Sequence, residues 1–196
     1  MFQVNKLIFA LWLLFWLYWS VAIVYEVVRG RYKSTVRRQS WAVTIGQNLF
    51  FGLALLLTLT NFGQQYSPLG VNLLPNYPVT LYIGFIIAAL GIIFAFWARM
   101  YLGDNWSGIV AIKKNQTLVD TGPYAIVRHP IYFGLTIGII GSAVAEGTVS
   151  GLVAIVCMLI FSLLRIRAEE KLMASTFANK YKKYSRRVPR FIPGFW

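Results

Sequence analysis

One cysteine and one histidine, in a chain of 196 residues, remove two classes of answer at once. Cys157 has no partner for an intrachain disulfide, and one thiol with one imidazole is too small a set of ligands for a transition metal, so no metal site is expected. Cys157 lies inside an apolar run, where helix packing or a lipid-facing position accounts for it. Charge is also scarce: Asp, Glu, Lys and Arg make up 13% of the residues, against about 25% in soluble domains. Acids are the scarcest, six against nineteen Lys and Arg, for a net charge of +13. The basic residues fall between long apolar runs and not along a soluble face, so nucleic acid is not an expected partner and the charge reads as a topological signal. No internal repeat, low-complexity tract or Gly-x-Gly-x-x-Gly stretch is present.

What is abundant is apolar. Hydrophobic residues make up 58% of the chain, with seven Trp, eleven Tyr and fourteen Phe, and several uncharged runs approach the ~20 residues that cross a bilayer as a helix. Residues 7–28, 41–60, 79–98, 130–145 and 148–164 read as five spans. The first is too long for a secretory signal and lacks a small-residue cleavage site. The loop at 29–40 holds Arg29, Arg31, Lys33, Arg37 and Arg38 without an acid; the loop at 61–78 holds no Lys or Arg. Apart from Lys6, every Lys and Arg falls on one side, which the positive-inside rule makes cytoplasmic. The expectation is an all-α integral membrane helical bundle of one domain over 1–196. It has five transmembrane helices, three of them in 1–100, the N-terminus outside, and a C-terminal amphipathic cytoplasmic segment. Glu146-Gly147 breaks the last two spans into a hairpin of about 25 Å per arm at ~1.5 Å per residue. Gly134, Gly138 and Gly141 on its first arm are read as helix-packing positions.

The chemistry gathers around Thr121-Gly-Pro-Tyr-Ala-Ile-Val-Arg-His-Pro-Ile-Tyr132, which contains the only histidine. Pro130 suits the first turn of a helix. Arg128, His129 and that helix N-terminus form an electropositive pocket suited to an anionic group; the plainer reading is a basic helix-entry turn at a membrane surface. Arg165 and Glu169 face the same way on a helix, and the hairpin brings them beside His129. Arg128, His129, Tyr132, Arg165 and Glu169 then combine donors for an anion, an acceptor for a hydroxyl or amine, and aromatic faces for a cation. Further on, Met173, Phe177, Tyr181 and Tyr184 recur at steps of four, four and three, one apolar-aromatic helical face opposite Lys180, Lys182 and Lys183. An interfacial helix on anionic lipid and a lid over a surface site both fit that pattern.

Five stretches in order, Leu102-Gly-x-x-Trp106-Ser107, Leu118-Val-x-x-Gly-Pro-Tyr124, Arg128-His-Pro-x-Tyr132, Glu169-Glu170 with Leu172, and Phe177-x-x-x-Tyr181-x-x-Tyr184, resemble the isoprenylcysteine carboxyl methyltransferases, their bacterial relatives and the phospholipid N-methyltransferases. The resemblance covers about half the chain, from Leu102 onward, and makes 101–196 the cofactor-binding core; the first two spans carry no motif of the family. It implies S-adenosylmethionine as methyl donor, bound on the cytoplasmic side between the Arg-His-Pro turn and the segment after the last span. By position the cofactor contacts are Gln116, Leu118, Val119, Gly122, Tyr124, His129, Pro130, Tyr132, Glu170 and Tyr181, with Arg128 as anion donor. Arg165, Glu169 and His129 are the expected catalytic residues: Arg165 to hold a carboxylate acceptor, Glu169 or His129 as base for an acceptor that must lose a proton. Many family members have histidine where this chain has Gln116, which hydrogen-bonds but does not titrate.

The expected substrate is lipophilic, a prenylcysteine-like carboxylate or a small hydrophobic molecule, drawn from among membrane lipid. The rivals are a phospholipid N-methyltransferase, a sterol-type membrane reductase, and a small membrane scaffold or transporter subunit. Transport calls for polar groups near the bilayer midplane, whereas here the mid-span positions are apolar and the charge gathers at one edge. Spacing leaves oligomeric state open.

Overall fold

The computed structural model describes residues 2–30, 35–59, 68–74 and 77–195; Arg31 and Lys33 of the first basic loop, and 61–67 of the uncharged loop, lie outside the described residues. Among the described residues, six α-helices and a short ribbon make up the fold: α1 Phe2–Val28, β1 Thr35–Arg38, α2 Trp41–Leu59, α3 Pro78–Leu102, β2 Ala111–Lys113, the single turn α4 Pro123–Ile126, α5 Pro130–Glu146 and α6 Val149–Arg187. Among the described residues three helices, over Lys6–Val28, Pro78–Asn105 and Val149–Arg187, are long and apolar enough to cross a membrane, and Val43–Thr58 and Pro130–Glu146 are shorter apolar helices. These mark the chain as an all-α membrane protein.

Small residues let α3 and α5 pack backbone to backbone, antiparallel. On α3 the inner face carries Gly84, Ala88, Gly91 and Ala95, while Ile86, Leu90, Ile93, Trp97 and Met100 point outward, exposed. A Cβ on Gly141 would stand 2.2 Å from the Ala88 backbone nitrogen, and one on Gly134 2.6 Å from the Gly91 carbonyl oxygen. The three α5 glycines are thus packing positions, as read from the sequence, and their partners are α3 and Trp12 of α1. Trp12 also donates its indole N–H to Ser142 at 3.0 Å, a buried bond that fixes α1 against α5. Stacked rings tie in the rest: Phe15 on Phe96 at 6.1 Å and Phe51 on Phe161 at 5.1 Å join α1 to α3 and α2 to α6.

The α5–α6 hairpin turns at Gly147, whose φ of +67° places it in the left-handed region that glycine enters freely. The segment before α3 seals this end, with Leu73 N–H donating to the Gly147 carbonyl at 2.7 Å and Val149 N–H to that of Val71 at 3.1 Å. The functional candidates lie at the other end. There α6 continues in helical conformation past Leu164 to a kink at Ala178 (φ 40°, ψ −113°), beyond which a second helical stretch runs on to Arg187. No glycine or proline falls between Leu164 and Ala178, so the helix continues to that kink when its composition turns from apolar to basic. At the same end β1 pairs antiparallel with β2, Thr35 opposite Lys113 and Arg38 opposite Ala111, which joins the connection after α1 to the one after α3.

Candidate functional site

A cavity of about 290 Å³ opens among the α5 N-terminus, the middle of α6, the 102–119 connection and the neighbouring turns of α1 and α2. Local sequence sets its polar wall. Gly122, with φ +59°, turns the chain into α4, and Val127 returns it to extended backbone. Arg128 N–H then donates to the Pro189 carbonyl at 2.9 Å, and His129 becomes the residue before Pro130, the first of α5. Proline there costs no hydrogen bond. The turn delivers Arg128 and His129 side by side at a helix N-terminus, both lining the cavity.

The hairpin brings the acids to meet them. Glu169 and Glu170 are adjacent on α6, and His129 lies between their carboxylates, Nδ1 at 3.5 Å from Glu169 and Nε2 at 3.5 Å from Glu170. Burial of the ring, 7% exposed, works against its charged form; the two carboxylates outweigh this and hold its pKa above the ordinary 6.5. Glu170 takes Arg128 at 2.6 Å and Arg190 at 2.8 Å. Glu169 instead accepts from the Tyr132 hydroxyl, which itself accepts from Arg165 Nε at 3.3 Å. Arg165 and Glu169 are therefore joined through a tyrosine one turn into α5. Arg165 also donates to the Gly108 carbonyl at 3.4 Å, which fastens the 102–119 connection to α6.

The apolar-aromatic face of α6 is packed inward. Tyr181, Tyr184 and Val188 form a buried cluster with Leu118, Met173 and Phe177 against it. The Tyr184 hydroxyl donates to the Tyr124 carbonyl at 2.7 Å, and the Tyr181 hydroxyl accepts from Arg128 at 3.4 Å. Lys180, Lys182 and Lys183 are left exposed on the other side. Asn105 clamps Thr117, accepting from its N–H at 2.9 Å and donating to its hydroxyl at 3.1 Å.

Of the residues picked out from sequence, Gln116, Leu118, Val119, Tyr124, Arg128, His129, Pro130, Tyr132, Arg165, Glu169 and Tyr181 all line this one cavity. Two do not. Gly122 shapes the turn, with the Tyr101 ring over the place of a Cβ at 2.6 Å, and Glu170 sits behind the wall, engaged by Arg128 and Arg190. The Gln116 side chain accepts from Lys113 N–H at 3.0 Å, so it braces its own turn. Sequence reasoning missed Phe15, Trp16, Trp19 and Ile23 of α1 and Asn48 and Phe51 of α2, which complete the cavity. It also missed Arg190. Nothing in helical apolar periodicity separates a cavity-facing aromatic from a lipid-facing one, though Asn48, polar in an apolar helix, was a usable signal.

Arg128 Nε is buried without a hydrogen-bond partner among the described residues, and the His129 Nε2 contact with Glu170, at 3.5 Å, is at the outer limit of one. An unsatisfied donor of this kind beside aromatic faces and a carboxylate suits a ligand with an anionic group and a cationic centre.

A family model described as phospholipid methyltransferase matches residues 79–180, just over half of the chain. The chain belongs to the phospholipid methyltransferase family. Its relatives include the cobalt-zinc-cadmium resistance protein CzcN of Cupriavidus metallidurans, 34% identical over 59% of this chain and 50% of that protein. The protein-S-isoprenylcysteine O-methyltransferase of Schizosaccharomyces pombe is 38% identical over 49% of this chain and 42% of its own length. The nickel-cobalt-cadmium resistance protein NccN of Alcaligenes xylosoxydans is 33% identical over 55% and 48%. The chain spans about half the length of the curated relatives it matches. The isoprenylcysteine methyltransferase family named by the five motifs is thus represented among its relatives. Two relatives carry metals in their names; among the described residues no group of three or more His, Cys, Asp or Glu is arranged to hold a metal ion.

Proposed function

We propose that this chain is an S-adenosylmethionine-dependent methyltransferase acting on a lipophilic acceptor at the cytoplasmic membrane face. The observation that carries the reading is a single cavity where Arg128, His129, Tyr132, Arg165 and Glu169 meet an aromatic wall, in a family of methyltransferases. The three long and two shorter apolar helices act as five spans, with the N-terminus outside and the basic loops, the C-terminus and the site in the cytoplasm. The shorter helices reach about 25 Å at ~1.5 Å per residue, enough where the bilayer thins around them.

The residues present fit the cofactor. Arg128, whose Nε is buried without a partner among the described residues, and His129 would hold its anionic end. Leu118, Val119, Tyr124, Pro130, Tyr132 and Tyr181 would line its site, with Gln116 and Gly122 shaping the turns beside it. Glu170 holds Arg128 in place. When bound, the cofactor supplies an electrophilic sulfonium methyl.

The chain's own residues do the rest by alignment and water exclusion. Arg165 orients a carboxylate acceptor, which is already ionised. For an amine, phenol or thiol, Glu169 takes the proton at its carboxylate, with Tyr132 and His129 holding it in position. A prenylcysteine-like carboxylate is the leading acceptor. A phospholipid amine is the second reading, favoured by the description of the matching family and by the exposed Lys180, Lys182 and Lys183, which would gather anionic lipid.

The test is formation of S-adenosylhomocysteine by the purified protein in lipid nanodiscs with an N-acylated farnesylcysteine or with phosphatidylethanolamine. Turnover of the first with little of the second supports the carboxylate reading. The reverse supports the phospholipid reading. Turnover of neither, nor of a panel of small lipophilic phenols and thiols, contradicts the proposal.

A further inference from the structure

Glu26 closes the last turn of α1 and is 1% exposed; Lys113 ends β2 and is 8% exposed. They lie 87 positions apart, and the Lys113 ammonium donates to the Glu26 carboxylate. It donates also to the Trp106 carbonyl and, at 3.2 Å, to the Asp104 carbonyl. A buried ion pair is costly to desolvate and contributes little net stability, so its retention in so apolar a chain calls for a reason beyond holding the fold together.

Its place in the fold supplies one. The two carbonyls belong to backbone that runs along the cavity wall at Asn105, Trp106 and Ser107, and the Lys113 N–H anchors the Gln116 side chain on the next stretch of that wall. Lys113 therefore gathers both sides of the connection. The Trp106 ring, in turn, lies with the Arg99 guanidinium 3.9 Å from its centre and meets the Trp19 ring of α1 edge-on at 5.6 Å. α1 lies outside the segment that carries the family match, yet it touches this wall twice, through Glu26 and through Trp19.

We infer that Glu26 and Lys113 are a positioning pair through which α1 sets the Asn105-to-Gln116 wall in its binding geometry, and so sets the cofactor affinity of the site. The inference rests on the methyltransferase reading. Neither residue touches the reacting atoms; both act through the backbone carbonyls they hold.

The test measures calorimetric binding of S-adenosylmethionine and S-adenosylhomocysteine to the full chain in detergent, with thermal unfolding alongside. Lys113→Met is expected to weaken both ligands by about tenfold or more. Glu26→Gln, which keeps an acceptor for the ammonium, is expected to weaken them by about twofold. The double variant Glu26→Leu with Lys113→Met replaces the pair by apolar groups. It is expected to unfold near the parent temperature while still binding about tenfold more weakly, because the carbonyls remain unheld. Parent-like affinity in the folded double variant overturns the inference, since the pair would then be structural only. A parent that binds neither ligand overturns the functional reading itself, and this inference with it.

Discussion

The two helices outside the matched segment and the segment itself meet at one cavity but differ in the charge they bring to it. α1 and α2 contribute Phe15, Trp16, Trp19, Ile23 and Phe51, with Asn48 their one polar side chain there, whereas every charged lining residue, Arg128, His129, Arg165 and Glu169, comes from 79–180. The matched segment adds rings of its own, Trp106, Tyr124, Tyr132 and Phe161, so what sets it apart is its cluster of paired charges. On the proposed reading, that division makes acceptor choice and methyl transfer separable, the first set where no family motif is legible and the second where the charged residues of the motifs lie. Substitutions on the two sides should therefore fail in different ways.

The largest effect is expected on the charged side. Glu169→Gln keeps an acceptor for the Tyr132 hydroxyl but removes the base, so turnover of an acceptor that must lose a proton should fall by about 10²–10⁴-fold. Cofactor affinity should change far less, which calorimetry beside a rate assay will show. On the ring side, Trp16→Ala should raise the acceptor KM by about tenfold, the scale of one lost apolar contact, with cofactor affinity unchanged. Equal losses of both would erase the division. Behind the two walls stands the α3–α5 contact: Gly141→Ala puts a methyl 2.2 Å from the Ala88 nitrogen and should lower stability by about 1–3 kcal/mol. It would weaken cofactor and acceptor binding together, read by thermal unfolding and by binding at a temperature where the variant is folded.

A smaller effect concerns pH. His129 has a folded-state pKa raised above 6.5, so its pairing with Glu169 and Glu170 contributes fully below that value. The contribution fades as pH rises through the raised pKa. The unliganded protein should lose thermal stability over that window, and His129→Gln should flatten the dependence.

Much of the arrangement was legible before any coordinates. Pro130 marked the first residue of α5 and Gly147 the hairpin turn, because proline and glycine report backbone geometry directly. The hairpin alone required Arg165 to approach His129. The ring wall was not legible: Phe15 and Phe51 repeat at helical spacing like any lipid-facing residue, and only the packing of α1 on α3 and of α2 on α6 turns them toward a site. Nor was the Glu26 pairing with Lys113, since a contact 87 positions apart leaves no local trace. Helical character beyond Leu164 was legible in the Arg165–Glu169 spacing and the 173–184 periodicity; the kink at Ala178 was not, because no glycine or proline marks it.

The most direct test of the central claim is calorimetric binding of S-adenosylmethionine to the parent and to His129→Ala in detergent. The account predicts micromolar binding by the parent, weakened by about tenfold or more in the variant, which loses a buried charge-assisted contact. No binding by a parent shown to be folded, or equal binding by both, would contradict it.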